Sequence, residues 1–344
     1  MISNQQIDSL INNWNEPEPF SGVVCLSQGD NISFEKGYGY AIKSESIPNR
    51  PDTRFQMASG CKIFTAVGIC QLVEQNKLSF DALLNQCLDI SFPGFAPDIT
   101  IHHLLTHSSG ITSYFEEDIN PDYEMIWQDI PMYKIKQPAD FLPLFQAKPI
   151  KFSPGEKFDY NDAGFILLGL VIESVTGINF SEYIYENIFK PAGMNDSGYF
   201  STDQLPERTA YAYIKNDDGS WRTNFFAVPI KGGPDGGAYT TGKDMYLFWK
   251  ALTSYKLLND ESITIMLNSK ITTSYKSPHT HYGYGVWIDK QEETIRKHFV
   301  EGFDPGVALR SSFYKKDNII LTMIGNTSKA LWPLNKEIEK SLGL

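Results

Sequence analysis

The run IFTAVGICQLV, residues 63–73, constrains this chain more than any other stretch. A surface helix keeps a polar face, and this segment has almost none, so it must be enclosed by other parts of the chain. Just ahead of it stand Ser59 and Lys62, in FQMASGCK. Residues three apart in a helix share a face, which sets the hydroxyl and the amine one above the other. A hydroxyl becomes a nucleophile when a neighbouring base takes its proton. A lysine serves as that base when burial or nearby cations lower its pKa. An enclosed helix headed by a lysine therefore points to Ser-Lys nucleophilic chemistry.

The flanking segments say what encloses it. Ile7 to Trp14 reads as a short amphipathic helix. Gly22 to Ser27 and Ile32 to Tyr40 read as strands joined by a hairpin turn at Gln28-Gly29-Asp30-Asn31. The Ser59 helix is expected to stop near Asn76, a residue that tolerates the left-handed cap. From Asp81 to Asn224 the pattern is mainly helical and broken by Pro and Gly. Thr100 caps IHHLLTHSS and Gly110 ends it, while Phe165 to Val175 is a second enclosed helix ending at Gly177. Asn120 to Pro149 is irregular and rich in aromatics (Tyr123, Trp127, Tyr133, Phe141, Phe145). It either lines a substrate cleft or covers core under a long loop. Beyond Gly232 the pattern turns to β, with Tyr282 to Asp289, Thr294 to Val300, Val307 to Tyr314 and Ile319 to Asn326 as strands. Lys315-Lys316-Asp317-Asn318 makes a second hairpin turn, and Leu331 to Leu342 closes the chain as a helix. The expected class is α+β: an antiparallel sheet built from both ends of the chain and flanked by N- and C-terminal helices, with an all-helical domain inserted. Residues 1–64 and 225–344 form the sheet domain, and 65–224 the insertion.

Composition removes several classes. The 344 residues carry a net charge of −11 and no basic run, which argues against nucleic acid or an anionic membrane as partner. No apolar stretch approaches the length of a membrane span. The opening MISNQQIDSLINNWNEPEPF has neither a basic n-region nor an apolar h-region, so a cytoplasmic location is expected. Cys25, Cys61, Cys70 and Cys87 have no ligand spacing, which calls for neither zinc nor a disulfide framework; Cys61 reads as a small packing residue. His103 and His107 have the i, i+4 spacing of a zinc-protease helix, but Leu104 stands where the base glutamate belongs, so hydrogen bonding is the expected role. His279 and His281 read as exposed. There is no G-x-S-x-G elbow, and Gly232-Gly233 and Gly236-Gly237 read as turns, not as a phosphate loop. Trp221, Phe225 and Phe226 lie near the domain junction, where they line the cleft or pack. No metal or cofactor is called for.

A Ser-Lys pair also needs a proton relay and backbone donors for an oxyanion. The candidate relay is Tyr160, in KFSPGEKFDYNDAGFILLG just ahead of the second enclosed helix. At these motifs the chain resembles the serine β-lactamase and penicillin-binding-protein-like superfamily, in its class C branch. That branch holds class C β-lactamases, D-Ala-D-Ala carboxypeptidases, D-aminopeptidases and β-lactamase-like esterases. FQMASGCK looks like the family's S-x-x-K motif and FDYNDAG like its Y-x-N motif. ITIHHLLTHSSGI and GGAYTTGKDMYLFWKAL are similar to two further, mostly structural signatures. The resemblance runs from Gly22 to about Asn326. It implies a β-lactamase/transpeptidase-like fold and an acyl-enzyme on Ser59, with Lys62 as its partner and Tyr160 as the relay. One oxyanion donor would be the N–H of Ser59 at its helix N-terminus.

Two departures from the family pattern bear on substrate. Aligned on Asp304-Pro305-Gly306, the third motif (Lys-Thr-Gly or His-x-Gly) reads Val300-Glu301-Gly302, so the side chain that meets a substrate carboxylate is absent. Gly302 is kept, and the N–H of Phe303 would supply the second oxyanion donor. His298, on the same strand face as Val300, either substitutes in part or is a solvated strand-end residue. The other departure is Asp162, where the family usually has Asn. An ionised aspartate beside Lys62 favours the ammonium. Tyr160 is then the base, or Asp162 is protonated, or Asp162 takes a cationic substrate group, or it keeps a plain hydrogen-bonding role. The expectation is a serine hydrolase cleaving an ester, amide or peptide bond in a small molecule or short peptide, an esterase or peptidase ahead of a β-lactamase. A D-Ala-D-Ala carboxypeptidase or β-lactamase is one alternative. A non-catalytic relative that binds a peptide or cell-wall fragment is another.

Overall fold

The computed structural model describes residues 3–116, 122–273 and 277–344. An eight-stranded antiparallel sheet takes two strands from the start of the chain, β1 (Gly22–Gln28) and β2 (Asn31–Tyr38), and the rest from its end. The later strands are β3 (Ile271–Thr272), β4 (Thr280–Tyr282), β5 (Trp287–Gln291), β6 (Thr294–Asp304), β7 (Val307–Tyr314) and β8 (Ile319–Gly325). In space the order is β2-β1-β8-β7-β6-β5-β4-β3, so the N-terminal hairpin closes one edge by pairing β1 with β8, Gly22 opposite Gly325.

Helices cover both faces of the sheet, which is why β8 is buried at every position. Alternate side chains, Val24, Leu26, Leu321 and Met323, pack with Ile7 and Ile11 of helix α1 (Asn4–Asn12) and with Leu331, Leu334 and Ile338 of the C-terminal helix. The opposite set, Val23, Ile320 and Ile324, joins the larger core with Met245, Phe248 and Trp249. Helix α2 (Lys62–Glu74) sits in that larger core, buried continuously from Lys62 to Cys70 and again at Leu72. Helix α3 (Asp162–Thr176) packs beside it and ends at Gly177 in the left-handed conformation (φ 69°). The chain then returns through α4 (Gly242–Thr253), α5 (Asp260–Leu267) and, after the last strand, α6 (Leu331–Leu342). Among the described residues no single helix is long and apolar enough to cross a membrane.

Several local expectations change. YGYGVWID is not one strand: Gly285 adopts φ 68° and the Gly283 N–H donates to the Val286 carbonyl, so the run folds back as the hairpin between β4 and β5. Helices α4 and α5 interrupt what reads as a β region. Thr100 caps its helix as expected, with His103 completing the capping box. That helix, however, stops at Leu105, because His107 takes a left-handed conformation (φ 55°) before Gly110 is reached. The aromatic segment beginning at Asn120 starts outside the described residues. From Tyr123 onward it is a series of short 3₁₀ turns.

Candidate active site

The nucleophile turn is tighter than an α-helix. Ala58–Cys61 forms a 3₁₀ turn that feeds into α2 at Lys62, and Ala58 is held at φ 45° although it is not glycine. In a 3₁₀ turn residues i and i+3 eclipse. Lys62 is thereby stacked directly on Ser59, its Nζ donating to Ser59 Oγ at 3.0 Å.

Lys62 is 2% exposed and uses all three of its protons. Besides Ser59, its Nζ donates to Asp162 Oδ1 and to the Asp235 carbonyl, each at 2.6 Å. Burial alone would push its pKa down. The charges of Asp162, Tyr160 and Asp235 outweigh that and hold it well above the ordinary value. In the resting site Lys62 is an ammonium that donates to Ser59.

Tyr160 is placed by the start of α3. Asn161 caps that helix, its Oδ1 accepting from the Gly164 N–H at 2.9 Å while its Nδ2 donates to the Ile111 carbonyl. The cap sets Tyr160 just outside the helix and Asp162 in its first turn, facing Lys62 from both sides. Lys62 Nζ lies 5.0 Å from the centroid of the Tyr160 ring, and Trp287 stacks on the ring's neighbourhood at 5.9 Å and 11°. Burial pushes the Tyr160 phenol up to about 12, the Lys62 ammonium opposing and Asp162 reinforcing the rise.

Strand β6 forms the opposite wall. A Cβ on Gly302 would lie 2.0 Å from the Met57 carbonyl oxygen and 2.9 Å from the Gly60 nitrogen, so only glycine lets the strand press against the Ser59 turn. Phe303 follows, 41% exposed in the cleft. Glu301 also reaches the cleft and pairs with Arg310 of β7 at 2.9 Å. Val300 does not take part as a substrate contact. By strand alternation its side chain points into the main core, where it is 2% exposed. The same face buries His298, which is neither a solvated residue nor a cleft residue. Its Nε2 meets the Leu267 carbonyl at 3.0 Å, at the end of α5, and burial pushes its pKa down to about 4.

These walls enclose a cleft of about 510 Å³ lined by Ser59, Tyr160, Asp162, Gly302 and Phe303, with Tyr123, Trp127 and Phe141 from the aromatic segment. Tyr133 points outward and Phe145 joins the core. Trp221, Phe225 and Phe226 do not line the cleft; Trp221 packs on Tyr213 and Phe225 on Tyr211. Cys61 is fully buried, its thiol pushed up to about 12. His103 caps Thr100 while His107 turns to other partners, so the two rings do not converge.

Two site residues escaped sequence reasoning, Tyr114 and Asp235, and His107 was read only as a hydrogen-bonding residue, with no link to Tyr160. The Tyr114 hydroxyl donates to Asp235 Oδ2 at the cleft floor. Asp235 sits in the Gly232–Gly237 turn, closed by the Gly233 N–H on the Gly236 carbonyl at 2.8 Å and clamped to α2 by Thr65 Oγ1 on the Pro234 carbonyl at 2.6 Å. Burial pushes Asp235 up to about 6, opposed by Lys62. Asp is an ordinary residue in a glycine-rich turn, so the run carried no sequence signal that singled out Asp235.

The Beta-lactamase family model matches residues 17–327. A penicillin-binding protein from Bacillus halodurans has the same fold, with a TM-score of 0.91 and 47% identity over 97% of this chain and 99% of that one. PbpX of Bacillus subtilis (strain 168), named as a penicillin-binding protein, is 29% identical over 92% of this chain and 73% of its own length. Another penicillin-binding protein of that strain is 31% identical over 218 residues, 61% of this chain. The chain spans only 45% of that relative's length.

Proposed function

The chain belongs to the beta-lactamase family, and on that footing we propose that it is a serine hydrolase that forms an acyl-enzyme on Ser59. The observation that carries this reading is the Lys62 ammonium, anchored on Asp162 and the Asp235 carbonyl and donating to Ser59 Oγ at the floor of an open cleft. Ser59 Oγ attacks the substrate carbonyl carbon as its proton passes to Tyr160, which acts in the minor fraction whose phenol proton has gone to solvent; burial and Asp162 hold that fraction small, and the adjacent ammonium partly offsets them. The tetrahedral oxyanion sits between the N–H groups of Ser59 and Phe303. Tyr160 then returns the proton to the leaving group, and water releases the acyl chain by the reverse sequence.

The substrate is proposed to be a small ester, amide or short peptide without a carboxylate next to the scissile bond. Glu116, Asp159, Asp162, Asp235, Glu301 and Asp304 line the cleft, and among the described residues no lysine or arginine does. Lys151 balances Glu116 and Asp159, and Arg310 balances Glu301. Asp162 pairs with the Lys62 ammonium, the Asp235 carboxylate accepts from the Tyr114 hydroxyl while its backbone carbonyl meets Lys62, and Asp304 is the sixth acid of the lining. A penicillin or a D-Ala-D-Ala terminus brings a carboxylate into this field and finds no cation in the third motif.

A non-catalytic binding role has one observation in its favour, since resting Lys62 has no lone pair for the Ser59 proton. Intact-protein mass spectrometry after exposure to a fluorophosphonate separates the readings. A single adduct that disappears in Ser59→Ala is expected, with a p-nitrophenyl ester hydrolysed much faster than nitrocefin. No adduct and no ester hydrolysis would leave the binding role. Nitrocefin turnover matching the ester would favour a β-lactamase or carboxypeptidase.

A further inference from the structure

We propose that His107 is the positioning residue for Tyr160, gripping the backbone on both sides of it. The Asp159 N–H donates to the His107 carbonyl at 2.8 Å, and the Asn161 N–H donates to His107 Nδ1 at 3.0 Å. Tyr160 lies between those two anchors, and its ring rests on the imidazole with centroids 4.4 Å apart and planes at 33°.

The chemistry of the ring is fixed by its partners. A backbone N–H only donates, so Nδ1 must carry the lone pair and Nε2 the proton. Nε2 faces the Tyr282 hydroxyl at 3.2 Å and donates to it. Phe158, Phe165 and Tyr282 close around the imidazole, with centroids 5.6, 5.1 and 4.8 Å away. Burial and the nearby Lys62 ammonium both disfavour the imidazolium, which keeps the Nδ1 acceptor available. The left-handed backbone at His107 (φ 55°) is what lets one residue present its carbonyl and its side chain to the same neighbouring segment. Such a conformation in a non-glycine residue is costly and persists where the surroundings enforce it.

The kinetic arm of the test rests on the hydrolase reading; a spectroscopic arm does not. His107→Asn keeps an acceptor near the Nδ1 position and tolerates positive φ. His107→Gln carries its amide one bond further out, and His107→Leu has no acceptor. With a p-nitrophenyl ester, kcat is expected to fall about 10²-fold in the Gln and Leu variants with KM little changed, because misplacing a proton-transfer group by about 1 Å costs that much. The Asn variant is expected to stay within about fivefold of wild type. In parallel, 3-fluorotyrosine placed at position 160 gives a ¹⁹F resonance that should be narrow in wild type and His107→Asn, and shifted or broadened in His107→Gln. If the Leu variant does not fold, the Asn and Gln pair still decides. Equal kcat and equal resonances in wild type and His107→Gln overturn the proposal, as does an Asn variant as impaired as Gln. A wild type without esterase activity sinks the hydrolase reading alone, and the ¹⁹F comparison then decides the positioning role by itself.

Discussion

Gly302→Ala tests the oxyanion proposal at its most sensitive point. A Cβ at 302 would stand 2.0 Å from the Met57 carbonyl oxygen and 2.9 Å from the Gly60 nitrogen. Both neighbours are backbone, so no rotamer change relieves the overlap. To restore even a 3.0 Å contact, β6 and the Ser59 turn must part by about 1 Å. That movement carries the Phe303 N–H away from the position proposed for the oxyanion. Loss of one such donor ordinarily costs about 10²–10³-fold in kcat, or ~3–4 kcal/mol, while overpacking destabilises by about 1–3 kcal/mol. The variant is therefore expected to melt at lower temperature, remain folded, and lose kcat with a p-nitrophenyl ester by about 10²-fold at similar KM. Phe303→Ala is the matched control, since it removes a side chain from the cleft and keeps the N–H; its KM should move and its kcat should hold. A folded Gly302→Ala enzyme with kcat within about threefold of wild type would refute the assignment of β6 as an oxyanion wall.

Asp162 raises the pKa of both Lys62 and Tyr160, so in Asp162→Asn the alkaline rise of kcat/KM should begin at lower pH; an unchanged pH–rate profile would mean that Asp162 does not couple to the base. Lys62 has a folded pKa above its ordinary 10.5, so its pairing is fully present below that value and is lost only as pH rises beyond it, which leaves pH 6–9 (roughly) clear of unfolding from this source. Asn161→Ala removes the α3 cap, worth about 1 kcal/mol, and strips the Ile111 carbonyl of a donor at about 1–3 kcal/mol more; a thermal melt unchanged from wild type would contradict this. Asp235 is pushed from 3.8 up to about 6 in the fold, so ionising it opposes folding as pH rises through that window. Asp235→Asn should accordingly raise Tm at pH 8 by more than at pH 4, the difference corresponding to roughly 2–3 kcal/mol; equal gains at both pH values would count against it.

Legibility in the sequence followed the range of the interaction. Leu331 to Leu342 reads as a helix, and is one, because its Leu331, Leu334 and Ile338 recur at helical spacing on a single face. The enclosure of α2 was legible for the same reason, its apolar residues leaving no polar face. The hairpin within YGYGVWID was not, because alternation continues unbroken through Gly283 and Gly285 and only the positive φ at Gly285 reveals the turn. Helix α4 was hidden behind the glycines of the Asp235 turn. His298 was misjudged because its burial depends on α5 ending directly over it, at Leu267, a contact that no local pattern encodes. Ser59, Lys62, Tyr160 and Asp162 were all named from motif and spacing, and the fold brings them together. Tyr114 and Asp235 were not, and His107 was named for hydrogen bonding but not tied to Tyr160, since each acts from an irregular segment whose placement is tertiary.

Lys62 shows how a motif can fix a contact while distant residues set its chemistry. The S-x-x-K spacing explains the contact with Ser59, three residues away. The charge state of Lys62 is set elsewhere, by Asp162 and the Asp235 carbonyl, 100 and 173 residues along the chain. Three acceptors take three protons, so of the alternatives the sequence left open the resting geometry matches the one in which Lys62 is a cation that donates to the Ser59 hydroxyl. On the proposed mechanism this inverts the division of labour. Lys62 supplies a fixed positive charge that stabilises the developing Ser59 alkoxide and a Tyr160 phenolate, and the proton moves between Ser59 and Tyr160. The alternative route, in which Lys62 first gives a proton to Asp162, passes through a neutral pair that buries less charge, and the Lys62 amine then accepts from the Ser59 hydroxyl instead of donating to it. Asp162 on the ammonium and Asp235 on the Tyr114 hydroxyl set two carboxylates against one cation, which leaves the floor of the site negative. A substrate group that enters there with a positive charge completes the balance, and one with a negative charge worsens it, so the residues that set the protonation of Lys62 are the same ones that filter what reaches Ser59.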